Sequence, residues 1–353
     1  MNSFGLQSGF LSIQVLPEKL AHKLKQRLSK KKAAAFSFSY WSSREQERSY
    51  GDRVGKLLQT SHLRYTERMN YHVFTSTTLL DNQCDYSGQV FPHEILAVSQ
   101  EAAARHVERF GLGRERLFAD YGVLWMISGL SLYMTGERPC AGEELSAETW
   151  AHDIHGLRFL RDHRYYRGER RPENVFATSL GEWFFVDAAT RKPLRPLEVL
   201  GDRDLAPYFD REELMGKRSK RVVLLSEEEK QKAFTLDFHC AYRDLDSNRH
   251  LNNCRYLAFA CDTVAEALRQ QGEHLAEAYA FRELHLNYAA EVLAGETLRL
   301  FCKDLGFTEQ AGKRRRSFLL EGDKVESHEP SFRAEISLEL CHNKPAGQTV
   351  PAD

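Results

Sequence analysis

The sequence has no excess of charge of either sign. Its 353 residues include 49 basic and 50 acidic side chains, which gives a formal net charge of −1. Proteins that bind nucleic acid or an anionic membrane through their overall field carry a strong positive balance, so neither partner is expected. No apolar run approaches the roughly 18 residues that a helix needs to cross a bilayer, so no integral membrane segment is predicted.

Cysteines are few, and their spacing forms no known pattern. The count is odd and no two lie in a C-x-x-C pair, which is unlike a disulfide framework or a thiolate zinc site. No His, Cys or Asp cluster has metal-ligand spacing and no glycine-rich phosphate loop occurs, so we expect no metal and no cofactor. Reduced, mostly buried thiols in a cytosolic protein are the expectation for Cys84, Cys140, Cys240, Cys254, Cys261, Cys302 and Cys341.

The most informative segment begins at Asp246. An acid (Asp246), an amide (Asn248) and an imidazole (His250) alternate at every second position. If the segment is extended, alternation puts all three side chains on one face. Asn252 or Asn253 then offers a cap for an amphipathic helix, whose N-terminal N–H groups favour developing negative charge. This layout suits acyl-group chemistry.

The same segment belongs to an internal repeat. At an offset of 161 residues, Asp85 aligns with Asp246 and a polar turn, an amphipathic helix and a glycine follow in both copies. Three further pairs match: Val90 with Leu251, Leu96 with Leu257 and Gly111 with Gly272. The matching order of elements favours duplication. Ser87 and Gln89 stand where the second copy has Asn248 and His250, so only the second copy carries the ionisable set.

The length and a hydrophobic content of 42% predict two domains of ordinary size. We place a basic extension at 1–60, a first unit at 61–202, a polar linker at 203–228, a second unit at 229–345 and a tail at 346–353. The extension reads as an amphipathic basic helix that binds a membrane surface or partner, as a transit peptide, or as a solvated segment. Localisation follows from that choice: cytoplasmic in a bacterium, or plastid with a transit peptide.

Each unit shows the same series of elements. Strand patterns at 71–80 and 234–242 precede helical periodicity at 94–110 and 251–271. Short strands follow, at 122–134, 148–155, 158–167, 175–180 and 183–187 in the first unit and at 281–288, 296–304, 317–321 and 331–340 in the second. One long helix wrapped by a curved antiparallel sheet is an α+β solution.

This order is that of a hotdog fold, and the motif resembles the acyl-acyl-carrier-protein thioesterases of plastids and bacteria. The residues that carry the resemblance are Asp246, Asn248, His250, Leu251, Asn252, Asn253 and Tyr256, with Leu286 to Val292 on a later strand. The resemblance spans about 62–342, including Trp125 and Thr190 to Pro193. It implies a tandem double hotdog with catalysis in the second repeat, and it puts Glu291 on the family's acid.

The resemblance implies a thioester hydrolase with Asp246, Asn248, His250 and Glu291 as its catalytic residues. Plant members have a cysteine after the acid, whereas this chain has Val292, so a Cys–His scheme is not expected. We expect His250 and Glu291 to deprotonate water, with backbone N–H groups near Asn252 and Asn253 polarising the carbonyl. Asp246 acting as a nucleophile through an anhydride is the alternative mechanism.

The resemblance implies an acyl carrier protein as the partner, and a homodimer is left open. Because that carrier is acidic, basic segments are candidates for its binding: Lys217, Arg218, Lys220 and Arg221, and Lys313, Arg314, Arg315 and Arg316. Two other functions stay open. One is a hotdog thioesterase for coenzyme A esters or a related enzyme, and the other is a non-catalytic acyl-binding double hotdog.

Overall fold

The computed structural model describes residues 71–211, 220–310 and 312–341. The predicted basic extension at 1–60, the tail at 346–353, and Lys217 and Arg218 lie outside the described residues. Among the helices of these three ranges, none is long and apolar enough to cross a membrane.

The first half is a five-stranded antiparallel sheet around one long helix. The sheet order is β1-β3-β4-β5-β2, with β6 paired to the outer part of β5. Along the chain the elements are β1 (Val73–Thr78), α1 (Pro92–Arg109), α2 (Arg114–Tyr121), β2 (Val123–Met134), β3 (Glu144–His155), β4 (Arg158–Arg167), β5 (Val175–Asp187), β6 (Pro193–Leu194) and α3 (Pro196–Leu200).

The second half repeats this topology. Its order is β7-β9-β10-β11-β8, which is the first-half order with corresponding strands in corresponding places. The elements are α4 (Glu227–Lys232), β7 (Phe234–His239), α5 (Asn253–Arg269), α6 (Leu275–Ala278), β8 (Tyr279–Tyr288), β9 (Thr297–Gln310), β10 (Lys313–Lys324) and β11 (Pro330–Leu340). The double-hotdog architecture predicted from the sequence is confirmed.

The two halves share one sheet. Strand β2 pairs antiparallel with β8, from Gly129 opposite Asn287 to Tyr133 opposite Glu283, which makes a continuous sheet of 11 strands. Helices α1 and α5 contact each other on one face of that sheet. A single hydrophobic cluster runs through both halves and includes Leu96, Leu132, Leu257 and Leu284. The halves therefore bury one common core.

The repeat is also visible in the loops that lead into α1 and α5. Short 3₁₀ turns precede them at Asp81–Gln83 and Tyr242–Asp244, and the long helices begin at Pro92 and Asn253. Each of these pairs is separated by the same offset of 161 residues. Gly88 and Arg249, which also correspond, both have positive φ, at 80° and 65°. The two copies thus share a backbone conformation although few side chains are identical.

Some predicted elements were wrong. Val175 to Asp187 is one strand rather than two, because Gly181 lets the indole of Trp183 lie close over the backbone. Helix α2 was not predicted. The segment predicted as a polar linker also contains apolar residues that pack against the two halves. Phe209 pairs with Ala151, and Val222 packs with Leu225 in a small buried cluster.

Candidate active site

Asp246 closes a tight turn rather than standing on a strand. Its Oδ1 accepts the backbone N–H groups of Asn248 at 2.7 Å and His250 at 3.2 Å, and Arg249 between them has φ 65°. The expectation of an extended segment with three side chains on one face is therefore wrong, because the carboxylate folds back on its own loop. Asp85 makes the same turn in the first half, with Oδ1 accepting the N–H groups of Ser87 and Gln89.

The His250 and Glu291 side chains meet across two segments of the second half. His250 Nδ1 lies 3.3 Å from Glu291 Oε1, and both side chains are mostly buried. The backbone holds them in register, since Leu251 N donates to Val292 O at 2.8 Å. Nε2, on the other side of the imidazole, has no partner among the described residues. An imidazole that lines a cavity and has a carboxylate beside one nitrogen, with the other nitrogen unpaired in this part of the chain, is suited to act as a general base.

The N-terminus of α5 lies directly after this turn. Asn252 caps the helix, because its Oδ1 accepts Cys254 N at 2.9 Å, and its own N–H donates to Asp244 O. Asn253 is the first helical residue, and Tyr288 OH donates to its carbonyl at 3.1 Å. Within the described part of the chain the Asn253 N–H has no hydrogen-bond acceptor. Of the N–H groups expected to polarise a carbonyl, Asn253 is therefore the one still available.

A cavity of about 450 Å³ joins these groups to the first half. All six predicted residues, from Asp246 through Asn248, His250, Asn252 and Asn253 to Glu291, line it. Its other side is formed mainly by apolar residues of the first half, among them Val107, Leu124, Trp125, Phe159 and Phe184, and Glu108 and Arg161 also line it. Trp125 is fixed there by its Nε1, which donates to Leu112 O at 2.9 Å, and by its ring contact with Phe159. The cavity thus has a polar end in one half and an apolar end in the other.

Two arginines of the first half reach this polar end, and the sequence reasoning did not select either of them. Arg114 Nη1 donates to Asn248 Oδ1 at 3.2 Å and also to Ser247 Oγ. Arg191 Nη1 lies 3.5 Å from Glu291 Oε1. Arg191 falls within a stretch that resembles the family, so a signal existed; for Arg114 the sequence offers none.

The thiols near the site are unsuited to nucleophilic attack. Cys254 and Cys261 are buried on α5, and burial raises the pKa of both thiols far above the ordinary range. Val292, which follows Glu291, is fully buried, and its N–H faces Tyr256 OH at 3.3 Å. A thiolate, the reactive form, is therefore strongly disfavoured here.

The basic segment at Lys313 to Arg316 becomes progressively more buried along β10. Lys313 and Arg314 are exposed, but Arg316 is buried and paired with Glu273 and Asp304. Arg315 is half-buried and lies against Glu283. The expectation of one exposed surface from all four residues is therefore wrong. In the other segment, Lys220 pairs with Glu335 at 2.7 Å and Arg221 is exposed.

Comparison with known proteins agrees with this architecture. The model of the acyl-ACP thioesterase N-terminal domain matches residues 68–200, and that of the C-terminal domain matches residues 227–336. A search of curated proteins finds no match.

Solved structures resemble the whole described fold. An acyl-ACP thioesterase from Bacteroides thetaiotaomicron is 21% identical with a TM-score of 0.62, and covers 77% of this chain and 99% of its own. A 12:0-ACP thioesterase from Umbellularia californica is 17% identical with a TM-score of 0.62, and covers 77% and 98%. At such identity these two structures bear on the fold. The two domain models, which together match most of the chain, bear on the family: the chain belongs to the acyl-ACP thioesterases and is a thioester hydrolase.

Proposed function

We propose that the chain releases fatty acids from acyl carrier protein with water activated by His250, and that Glu291 orients and stabilises the imidazole. The observation that carries this proposal is the 3.3 Å contact between His250 Nδ1 and Glu291 Oε1 at the polar end of a cavity whose other end is apolar. The apolar end of the cavity binds the acyl chain. Release of the acyl chain from the carrier protein ends its elongation.

The reaction begins with attack of water on the thioester carbonyl. His250 Nε2 takes a proton from water while oxygen bonds to the carbonyl carbon, and the charge that develops on the imidazole is stabilised by Glu291. The tetrahedral intermediate collapses with cleavage of the C–S bond. The same imidazole then returns the proton to the pantetheine thiolate, so the products are a free acid and a thiol.

The carbonyl oxygen becomes negative in this step and needs donors. The Asn253 N–H at the start of α5 is free among the described residues and lies where the helix dipole favours negative charge. Asn248 supplies a second donor: its Oδ1 accepts from Arg114, and of the two N–H groups on its Nδ2 only one is used by Asp246 Oδ2, at 3.3 Å. One such donor is worth roughly 3 kcal/mol of transition-state stabilisation.

Asp246 is better suited to holding the loop than to attacking the carbonyl. One carboxylate oxygen accepts two backbone N–H groups and the other accepts the Asn248 amide, so neither is free to approach a substrate without unmaking the turn. This argues against the anhydride mechanism.

The function is tested by following free-acid release from a panel of acyl-ACP and acyl-coenzyme A esters of increasing chain length. We expect kcat/KM to be higher for the carrier-protein esters and to depend on chain length, because the apolar end of the cavity is finite. Failure to release acid from any acyl-ACP would refute the proposal. Equal kcat/KM for both carriers would favour the coenzyme A alternative.

A further inference from the structure

The first half lacks the ionisable set, yet two of its arginines contact the second half's polar residues. Arg114 is the first residue of α2, and Arg191 lies in the turn between β5 and β6. They approach from separate elements and contact different targets, Asn248 and Glu291.

The turn that presents Arg191 has an unusual backbone. Arg191 has φ 59°, in the left-handed region that favours glycine. Asp187 holds the turn: its carbonyl accepts Arg191 N at 2.9 Å, and its Oδ1 accepts the N–H groups of Ala189 and Thr190. A non-glycine residue in this region costs about 1 kcal/mol or more, so its side chain is a candidate for a functional role. Here that side chain reaches Glu291.

The contact with Glu291 is made at the oxygen that also faces the imidazole. Oε1 lies 3.5 Å from Arg191 Nη1 and 3.3 Å from His250 Nδ1. A guanidinium at this place restricts rotation of the carboxylate, so that Oε1 stays directed at His250.

Arg114 acts on the other polar residue. Its Nη1 donates to Asn248 Oδ1, and Asp246 Oδ2 accepts from Asn248 Nδ2 at 3.3 Å. A donor at one end of the amide and an acceptor at the other define which end is which. Without Arg114 only the 3.3 Å bond to Asp246 holds the amide in this orientation, so Asn248 presents its donor less rigidly.

We propose that Arg114 and Arg191 are positioning residues for the hydrolysis, so that the active site of the second half is completed by the first. The proposal rests on the proposed roles of His250, Glu291 and Asn248. Both arginines are exposed, so the ion pair of Arg191 and the hydrogen bonds of Arg114 should contribute little to stability, and their effect belongs to turnover rather than to folding.

The decisive variant is Arg191→Gly, because glycine suits the observed φ and the fold should keep its melting temperature. We expect kcat to fall 10- to 100-fold, the effect typical of lost orienting partners, with KM changed by less than 3-fold. Arg191→Lys should recover part of the loss, since it restores the charge without the planar fork. Arg195→Gly, on the neighbouring exposed arginine, is the matched control and should retain wild-type kcat.

A double variant tests whether Arg191 acts through Glu291. In a Glu291→Gln background, Arg191→Gly should lower kcat by no more than about 2-fold, because coupled residues are not additive.

The role of Arg114 is tested by a separate pair of variants. Arg114→Met should lower kcat about 10-fold, whereas Arg116→Met on the same helix should not.

The outcomes separate this inference from the function on which it rests. Normal kcat in folded Arg191→Gly and Arg114→Met, with Glu291→Gln inactive, overturns the inference alone. The inference is also overturned if Arg191→Gly lowers kcat as much in the Glu291→Gln background as it does in the wild type. Normal kcat in Glu291→Gln instead refutes the proposed function. If Arg191→Gly lowers the melting temperature, Arg191→Asn, which also tolerates positive φ, is measured in its place.

Discussion

His250 in the second half and Gln89 in the first occupy the same place in two copies of one loop. Each donates its N–H to the Oδ1 of the aspartate four residues before it, Asp246 at 3.2 Å and Asp85 at 3.3 Å. Their backbones are alike and their side chains differ, so the pair forms a natural internal control for catalysis.

Replacing the imidazole should therefore remove activity without unfolding the protein. His250→Ala should lower kcat at least 100-fold, the loss expected for a general base. Gln89→Ala should change kcat less than 2-fold. Steady-state kinetics on one acyl-ACP, with circular dichroism to check folding, makes the comparison. Comparable losses in both variants would point to a structural role for this loop position.

Thiol chemistry should not be needed. Burial raises the pKa of Cys254 and Cys261 well above neutrality, raises that of Cys240 to about 11 and raises that of Cys302 to about 12. All four thiols are therefore protonated at pH 7. Cys254→Ala should keep kcat within about 3-fold, and N-ethylmaleimide should react slowly with these four thiols in the native protein. Loss of activity in a folded Cys254→Ala protein would reinstate a thiol mechanism.

The turn in the active-site loop stores backbone strain that its counterpart avoids. Arg249 adopts φ 65° where the first half has Gly88 at φ 80°. Arg249→Gly should raise the free energy of unfolding by up to about 1 kcal/mol, and Gly88→Ala should lower it by roughly 1 kcal/mol, since no neighbour meets the added methyl group. Urea unfolding of the two variants measures both. Destabilisation by Arg249→Gly would show that the arginine side chain makes a contact worth more than the strain.

Acid should destabilise the first half through a buried histidine. Burial lowers the pKa of His163 to about 3, so the imidazole is neutral when folded and binds a proton when unfolded below pH 6.5. Above pH 6.5 His163 is neutral in both states and does not affect the pH dependence of stability. As pH falls from 6.5 towards 3, proton binding by the unfolded state lowers the free energy of unfolding by about 1.4 kcal/mol per pH unit. His163→Gln should lose less stability than the wild type between pH 7 and 5. Parallel losses in urea titrations at both pH values would exclude this residue.

The carrier surface should involve only the exposed basic residues. Reversing Lys220 and Arg221, or Lys313 and Arg314, should raise KM for acyl-ACP with little effect on kcat, and added salt should have the same effect on the wild type. Arg316→Ala should instead lower stability, since it removes a buried side chain that is paired with Glu273 and Asp304. Reversal of Arg105, exposed on α1, is the control. KM changes that are independent of salt would remove these residues from the surface.

Much of this architecture could be predicted because it depends on local sequence patterns, namely apolar periodicity and the internal repeat. The long helices were placed within a few residues by their apolar period, and the repeat predicted identical topologies, which the sheet order confirms. The sequence leaves the conformation at Asp246 open between a polar turn and an extended segment, because alternation of polar residues looks the same in both. What distinguishes them is the positive φ of Arg249, and an arginine gives no sign of it.

Arg114 and Arg191 were missed for a different reason. Arg114 lies more than a hundred residues before the asparagine it contacts, and Arg191 lies a hundred residues before Glu291. Contacts between the two halves, among them the antiparallel pairing of β2 with β8, bring these segments together. No period or spacing in one sequence reports such a contact.

The pairing of β2 with β8 also bears on how the two copies came to differ. When two identical subunits associate, every substitution appears in both, and a change that improves one binding surface damages the other catalytic loop. When one chain carries both copies in a continuous sheet, a substitution can occur in one copy and not in the other. One copy could then have no imidazole at this position and line the apolar part of the cavity, while the other carries the catalytic residues. Each copy would then depend on the other for the complete site.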